Sequence, residues 1–303
     1  MSMPVGVVVV NWNGGARTLA CIDSVRMQNY AECFIVLVDN ASALEERAGL
    51  RARYGGDARL EILELSENRG YAGGNNAGIT RALARGAELV LVATQDVTLL
   101  PGALAGLIET AVVEPRIGIV GPQVIDAEGG QVLSYGERVS PATLCVPRTL
   151  LRHRHARFPY YEVSGVMGCA LLITRRCLEA VGGFDEQFFA YYEEVDFCLR
   201  ARQRGFRIVC TPRAVVTHAG MRGFRSGFTA TSAELKARNL PRLMCRWASP
   251  ADWIVLLPTY VALLAGSAVL YAARGRLEIV RALLRGTIAG LRRGPAGPLT
   301  GAG

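Results

Sequence analysis

Residues 5–15 read VGVVVVNWNGG. Within them, residues 5–10 form a valine-rich run bounded by Pro4 and Asn11. Apolar side chains at successive rather than alternate positions require cover on both faces, which is the pattern of a strand inside a parallel sheet. After the turn at residues 11–15, Leu19, Ile22 and Val25 recur every third residue, as on a helix. The same alternation continues outward. A second buried strand is expected at 33–38, running into Asp39-Asn40-Ala41-Ser42 and a charged helical stretch, a third at 60–65 and a fourth at 89–93. A Gly-rich turn and a helix from about 74 to 85 are expected between the last two. This βαβαβαβ rhythm predicts an α/β fold, a Rossmann-like, open and mainly parallel sheet with helices on both faces, with ligands bound beyond the carboxyl ends of the strands.

Those ends carry the unusual polar residues: Asn11 after the first strand, Asp39 after the second, Asn68 after the third and Thr94-Gln95-Asp96 after the fourth. Any one is an ordinary turn residue. Four on one edge point to a site. The stretch ENRGYAGGNNAG at 67–78 looks like a phosphate cradle, but it is not G-x-G-x-x-G and no Walker lysine follows, which argues against a dinucleotide or P-loop site. Backbone amides and Asn side chains at a helix start suit a diphosphate or sugar hydroxyls.

In the second half, a helix is expected at 101–113, a strand at 117–125 and, after Gly129-Gly130, another at 132–135. Residues 140–162 are irregular and basic, with Arg148, Arg152, His153, Arg154, His155 and Arg157. They read as an exposed loop, with a cover over an anionic substrate as the functional alternative. The small apolar stretch 163–174 reads as a strand bringing Gly165 and Gly168 against a ligand or another backbone. Next comes GGFDEQFFAYYEEVDFCLRARQRG, residues 182–205, whose carboxylates are interleaved with aromatic rings that want cover. From Glu193 on, acids open a helix and arginines close it, with Gly205 just beyond, as the helix dipole favours. A capped helix and an acid cluster at a cleft wall both fit. Short strands at 207–210 and 214–217 follow, and His218 at the end of the second is a candidate metal ligand.

The chain has 303 residues, half of them hydrophobic, with a net charge of +8, a pI near 9.3 and a positive mean hydropathy. Such charge suits nucleic acid, an anionic membrane or phosphate-bearing substrates. The basic residues gather at the tail and one loop without aromatic interleaving, which argues against a nucleic-acid partner. Eight cysteines without a CxxC pair offer neither a zinc site nor a disulfide framework, and read as reduced core residues of a cytosolic domain. The start lacks a basic leader and does not read as a secretory signal. Residues 253–273 are twenty-one positions without a charge, long enough to span a bilayer. Basic residues on both sides, with Pro258 and Gly266 inside, favour a peripheral or re-entrant element on the cytoplasmic membrane face, followed by an Arg-rich amphipathic helix around 276–293. A full span and a soluble packing or dimer helix are the alternatives.

Taken together, VVVVNWNGG, IVLVDNAS, ENRGYAGGNNAG, TQD at 94–96, GGFDEQFFAYYEEVDFCLR and VVTH ending at His218 resemble the family 2 glycosyltransferases, especially the bacterial branch containing rhamnosyltransferases. The resemblance covers about residues 5–220. It implies a GT-A fold and inverting transfer from a nucleotide-activated sugar. By it, the donor site comprises Asn11, Asn13, Asp39 (reading a pyrimidine base), Asn68, Gly70, Asn75, Gln95 and Asp96. Asp96 matches the last acid of the DxD-type motif and, with His218, would hold a divalent cation, Mg or Mn. Glu194 takes the place of the family's base, with Glu193 and Asp196 bracing it or sharing its role. Two departures stand out. Thr94 replaces an acid or Asn, leaving the motif one carboxylate for a weakly bound metal, and Glu194 is one methylene longer than the commoner Asp. The expected organisation is a catalytic domain at 1–232, with a nucleotide-sugar half (1–125) and an acceptor half (126–232), and a membrane-associating helical region at 233–303. The expected donor is a dTDP- or UDP-sugar, with rhamnose the first choice, and the acceptor a hydroxyl of a lipid-linked or growing cell-envelope polysaccharide. A polyprenyl-phosphate glycosyltransferase and a catalytically impaired sugar-nucleotide-binding partner are the alternatives, and a homo-oligomer is compatible with either.

Overall fold

The computed structural model describes residues 3–140, 148–149, 159–219 and 229–292. The basic positions Arg152, His153, Arg154, His155, Arg157 and Arg293 lie outside these. The chain forms two compact units. The first comprises Met1–Arg138, Thr149–Phe189 and Glu193–Met221, and the second Val139–Arg148, Ala190–Tyr192 and Arg222–Gly303.

The first unit opens with β1 (Val5–Asn11), α1 (Ala16–Arg26), β2 (Cys33–Asp39), α2 (Leu44–Tyr54), β3 (Leu60–Glu64), α3 (Gly70–Ala84) and β4 (Leu89–Thr94). Then come β5 (Val97–Leu99), α4 (Ala103–Ala111), β6 (Ile117–Asp126) and β7 (Val132–Ser134). Two short strands follow, β8 (Glu137–Arg138) and β9 (Arg148–Thr149). β10 (Tyr161–Val163), β11 (Ala170–Thr174), α5 (Arg175–Val181), a 3-10 turn at Glu186–Phe188, α6 (Glu193–Gln203) and β12 (Arg207–His218) complete the unit. The sheet runs β10-β12-β6-β11-β4-β1-β2-β3, with β5 on β12 and β7 on β6. Its β4-β1-β2-β3 half is wholly parallel, and β11 enters antiparallel between β4 and β6. In β1, Val5, Val7 and Val9 pack into one hydrophobic core and Val8 into the other, so the continuous valine run is covered on both faces.

Three local expectations change. The helix α3 begins at Gly70 rather than about Gly74, so the Gly-rich stretch is helix and not turn. Its glycines serve close helix–strand packing: a Cβ on Gly78 would sit 2.3 Å from Val8 Cγ1, and one on Gly74 2.9 Å from Val10 Cγ1. The stretch 163–174 is two strands, with Gly165 and Gly168 in the connection. The strands expected at 207–210 and 214–217 are one, β12, which carries a register shift between Thr211 and Val215. Pro212, which cannot donate to a ladder, lies in that irregularity.

The second unit contains α7 (Ala230–Trp247), α8 (Trp253–Ala273) and α9 (Leu277–Arg292). Thr229 and Ser232 form a reciprocal capping box at the start of α7. The helix α9 lies against α7 with almost no side-chain spacer. A Cβ on Gly286 would fall 2.2 Å from Glu234 O, and one on Gly290 2.4 Å from Arg238 O. Ala233, Ala237, Tyr271, Ile279, Ala282 and Leu283 are the core of this packing. Asn239 of α7, 0 % exposed, donates from Nδ2 to the carbonyls of Ala190 (2.8 Å) and Tyr191 (3.0 Å). By length and composition α8 can cross a membrane, and Ile254, Val255, Leu257, Val261 and Val269 on it are exposed. Of the cysteines, Cys21, Cys169, Cys177, Cys198 and Cys210 are buried and Cys33 is partly so. Cys245 is exposed, against the expectation of a core position, and Cys145 lies outside the described residues.

Candidate active site

Parallel register aligns Asn11 with Asp39, and strand ends become a shelf of polar side chains. Asn11, fully buried, donates from Nδ2 to Asp39 Oδ1 and to Ser42 Oγ, both at 3.0 Å, and accepts at Oδ1 from Thr18 Oγ1 at 2.6 Å. Asp39, also fully buried, accepts the Ser42 amide at 3.2 Å and pairs with Arg47 Nε at 2.9 Å. Asn13, with φ 50, accepts the Ala43 amide at Oδ1, 2.9 Å, and its own amide donates to Ser42 Oγ. Buried groups partnered in this way are fixed in place before any ligand arrives.

A second cluster holds the start of α3. Asn40 Nδ2 donates to Asn68 Oδ1 and to Gly70 O, each at 3.0 Å, while Asn40 Oδ1 accepts the Arg69 amide at 2.8 Å. Asn68 Oδ1 also accepts the Gly70 amide at 2.8 Å. Gly70 has φ 68, and a Cβ there would lie 2.3 Å from Phe189 O, so neither conformation nor space allows a side chain. Asn75 is buried along α3 and returns its Nδ2 to Tyr71 O at 2.9 Å, leaving its Oδ1 without a hydrogen-bond partner. Gln95 bonds the backbone of Trp12 at both ends, Oε1 accepting from N at 2.8 Å and Nε2 donating to O at 3.4 Å.

Asp96 and His218 come together although 122 residues separate them, because β5 pairs with the end of β12. Asp96 Oδ1 lies 3.5 Å from His218 Nε2 and accepts the Thr94 hydroxyl at 2.6 Å. Thr94 thus orients the carboxylate, although it supplies no charge of its own. The buried Nδ1 of His218 has no hydrogen-bond partner. One oriented carboxylate and one imidazole are a donor set that would suit a divalent cation. Among the described residues there is no cluster of three such ligands.

The acids gather on α6. Glu193 is buried and its Oε2 has no hydrogen-bond partner; burial, and then the charge of Glu194, push its carboxyl well above the ordinary range. Glu194 is half-buried with its side chain against Gly168, where a Cβ would lie 3.3 Å from Glu194 Cγ. Tyr71, on the first turn of α3, donates its hydroxyl to Gly168 O at 2.5 Å. Its phenol is raised first by burial and then by the charges of Glu193 and Glu194, so α3 and the acids adjoin. Glu137 joins them: burial, then Glu194, raise its carboxyl to about 7. Asp196, buried on the same helix, is instead paired with Arg200 Nε at 2.7 Å. Ahead of α6, Phe189, Tyr191 and Tyr192 all have φ between 65 and 73, a left-handed conformation that bulky residues avoid and that concentrates at functional sites.

Sequence reading did not single out Asn40, Ser42, Tyr71 or Glu137. Asn40 and Ser42 stood in the quoted strand-end stretch and could have been found there; no local signal marks Glu137.

An open, mainly parallel sheet with a polar shelf at its strand ends, and acids beside the helix that starts there, is the architecture of the GT-A fold. Solved glycosyltransferases superpose on it. GalNAc-T7 with UDP, GalNAc and Mn2+ matches with a TM-score of 0.65 at 16% identity over 81% of this chain and 48% of that one. The mannosyltransferase PcManGT from Pyrobaculum calidifontis, with GDP-Man and Mn2+, matches with a TM-score of 0.60 at 19% identity over 96% and 88%. The chain belongs to the family described as glycosyltransferase like family 2, whose profile matches residues 3–248, and it is a glycosyltransferase. It is 26% identical over 70% of its length to an N-acetylglucosaminyl-diphospho-decaprenol L-rhamnosyltransferase of Mycobacterium tuberculosis, covering 75% of that protein. It is 23% identical over 72% of its length to a dTDP-rhamnosyl transferase of Shigella flexneri, covering 70% of that one.

Proposed function

We propose that this enzyme moves a sugar, rhamnose as first choice, with inversion from a dTDP- or UDP-linked donor to a hydroxyl of a lipid-linked or growing cell-envelope glycan. The observation that carries the proposal is the pair Glu193–Glu194 beside Tyr71 and Gly168, next to the polar shelf. Two adjacent carboxyls in one partly buried site do not both ionise readily. Burial and the neighbouring charge push the carboxyl of Glu193, the more deeply buried, well above the ordinary range, which leaves the half-buried Glu194 to act as the base. Glu194 therefore takes the proton of the acceptor hydroxyl as it attacks the anomeric carbon in line with the departing diphosphate. Asp39 and its partners Asn11 and Ser42 form the base-reading end of the donor site, and Asn13, Asn68, Gly70, Asn75 and Gln95 shape its walls. Asp96 and His218 would hold Mg or Mn, which neutralises the leaving diphosphate when bound. The names of both relatives support rhamnose, that of the first also the lipid-linked acceptor and that of the second the dTDP donor, and the uncovered apolar surface of α8 supports membrane attachment of residues 253–293, proposed at the cytoplasmic face.

A panel of nucleotide sugars assayed for nucleotide release in detergent, with and without Mg or Mn, tests the donor. Turnover with dTDP-rhamnose, abolished in Glu194→Gln and in Asp96→Ala, is expected; turnover with no pyrimidine-linked sugar refutes the donor assignment. The exposed apolar helix also suits a polyprenyl-phosphate acceptor. A lipid phosphate needs no strong base, so that reading predicts transfer to lipid phosphate spared by Glu194→Gln.

A further inference from the structure

The residues above leave unused one connection in the first unit, between the donor-side helix α3 and the segment that leads to α6. Asn76 on α3 reads a single residue of that segment from both sides: Nδ2 donates to Phe184 O and Oδ1 accepts the Phe184 amide, each at 2.8 Å. The same Nδ2 lies 3.0 Å from Glu186 Oε1, and Glu186 Oε2 pairs with Arg69 at the α3 entry at 2.8 Å. Further along, Phe189 O accepts the Ala72 amide at 3.1 Å. Two glycines keep the seam closed. A Cβ on Gly183 would lie 2.4 Å from Asn76 Oδ1, and one on Gly70 2.3 Å from Phe189 O. On its other side the segment is held by α6, where Arg200, paired with Asp196, donates to Val181 O and Gly183 O at 2.8 Å each.

We infer that Asn76 and Glu186 are positioning residues that couple the donor-binding start of α3 to the helix bearing the base. The inference rests on the assignment of Glu194 as base. Residues 183–189 are stapled to α3 at three points and to α6 through Arg200. A diphosphate that orders the Asn68–Gly70 entry of α3 therefore also fixes where α6 begins. The Gly-Gly-Phe-Asp-Glu stretch then has a physical explanation: the second glycine admits the Asn76 amide and the glutamate clamps it. Asn76 touches no reacting atom and acts through Phe184.

The test uses the full chain in detergent, with dTDP or UDP as the binding probe and the best sugar donor for turnover. Asn76→Ala is expected to lower kcat by about 10- to 100-fold, as for a base misplaced by about 1 Å. Nucleotide affinity by calorimetry should change less than about threefold, since a positioning defect falls on the reacting geometry and not on ground-state binding. Amide exchange across 183–189 should quicken. Asn76→Asp sets two carboxylates face to face, and Asn76→Asp with Glu186→Gln restores a donor–acceptor pair of reversed sense, so the double variant should recover part of the kcat lost in the single. Should Asn76→Ala not fold, Glu186→Gln, at a partly exposed site, serves the same readouts with a smaller loss. Unchanged kcat in both single variants, or affinity falling in parallel with kcat, overturns the coupling. Failure of the base assignment is read separately, from full turnover by Glu194→Gln.

Discussion

Replacing Glu137 by glutamine should make the protein more stable, and only above a definite pH. The Glu137 carboxyl rises from 4.5 to about 7, through burial first and the Glu194 charge second. A rise of that size is worth about 3 kcal/mol when fully developed. Residual solvent contact, since the side chain is half-buried, trims it to about 2 kcal/mol. The sign follows from which state holds the proton more tightly. The folded state does, so the stabilising contribution is complete below pH 4.5, is lost as pH rises through about 7, and stays lost above it. Glutamine carries no charge at any pH. The melting temperature of Glu137→Gln relative to the parent should therefore climb between pH 5 and pH 8, by about 5 °C for a unit of this size. Calorimetry in detergent at four pH values from 5 to 8 measures it. The shifts of Glu193 and of other groups largely cancel in the comparison. A difference that is constant across this range, or that favours the variant at pH 5 and not at pH 8, refutes the burial of a charged Glu137 beside Glu194.

Two glycines inside helices should respond oppositely to alanine. Gly78→Ala drives a methyl to 2.3 Å from Val8 Cγ1 and should cost about 1–3 kcal/mol, whereas Gly49→Ala on α2 meets nothing within 4 Å and should gain up to about 1 kcal/mol from helix propensity, both read from melting curves. Asn239→Ala strips the donor from the carbonyls of Ala190 and Tyr191 and should destabilise the second unit by about 2–4 kcal/mol, measured by amide exchange along α7. If Asp96 and His218 hold the cation, His218→Ala should raise the Mn concentration for half-maximal turnover about tenfold or more, with maximal turnover largely regained at saturating Mn.

The parallel half of the sheet was legible because strands covered on both faces advertise themselves as unbroken apolar runs, as residues 5–10 and 33–38 do. The same property hid the direction of β11. A strand buried on both faces looks alike whether it pairs parallel or antiparallel, and Ala170–Thr174 pairs antiparallel with both neighbours. The start of α3 was misplaced because glycine disfavours helix in isolation, while here Gly70 and Gly73 form its first turn, with Phe189 O pressed against the one and Arg69 and Glu186 against the other. Within the site, Asn11, Asp39 and Asp96 announce themselves by standing at strand ends. Asn76 and Glu186 do not, since 110 residues separate them and only the fold shows that they touch.

The second unit inverts the usual relation between hydrophobicity and cover. Its most closely packed helix is α9, where Gly286 and Gly290 bring backbone against backbone, and α9 is studded with arginines. Its most apolar helix, α8, is covered least: of its twenty-one residues Leu256, Tyr260 and Tyr271 are buried. Tyr260 fastens it, the hydroxyl lying 2.8 Å from Thr287 Oγ1 on α9. Exposed Leu277, Leu284, Ile288 and Leu291 give α9 an apolar stripe at helical spacing, apart from the glycine face that meets α7. Water penalises such surface and a bilayer does not. The proposed membrane attachment thus accounts for helices in which glycine is spent on the inner contacts and leucine is kept outside.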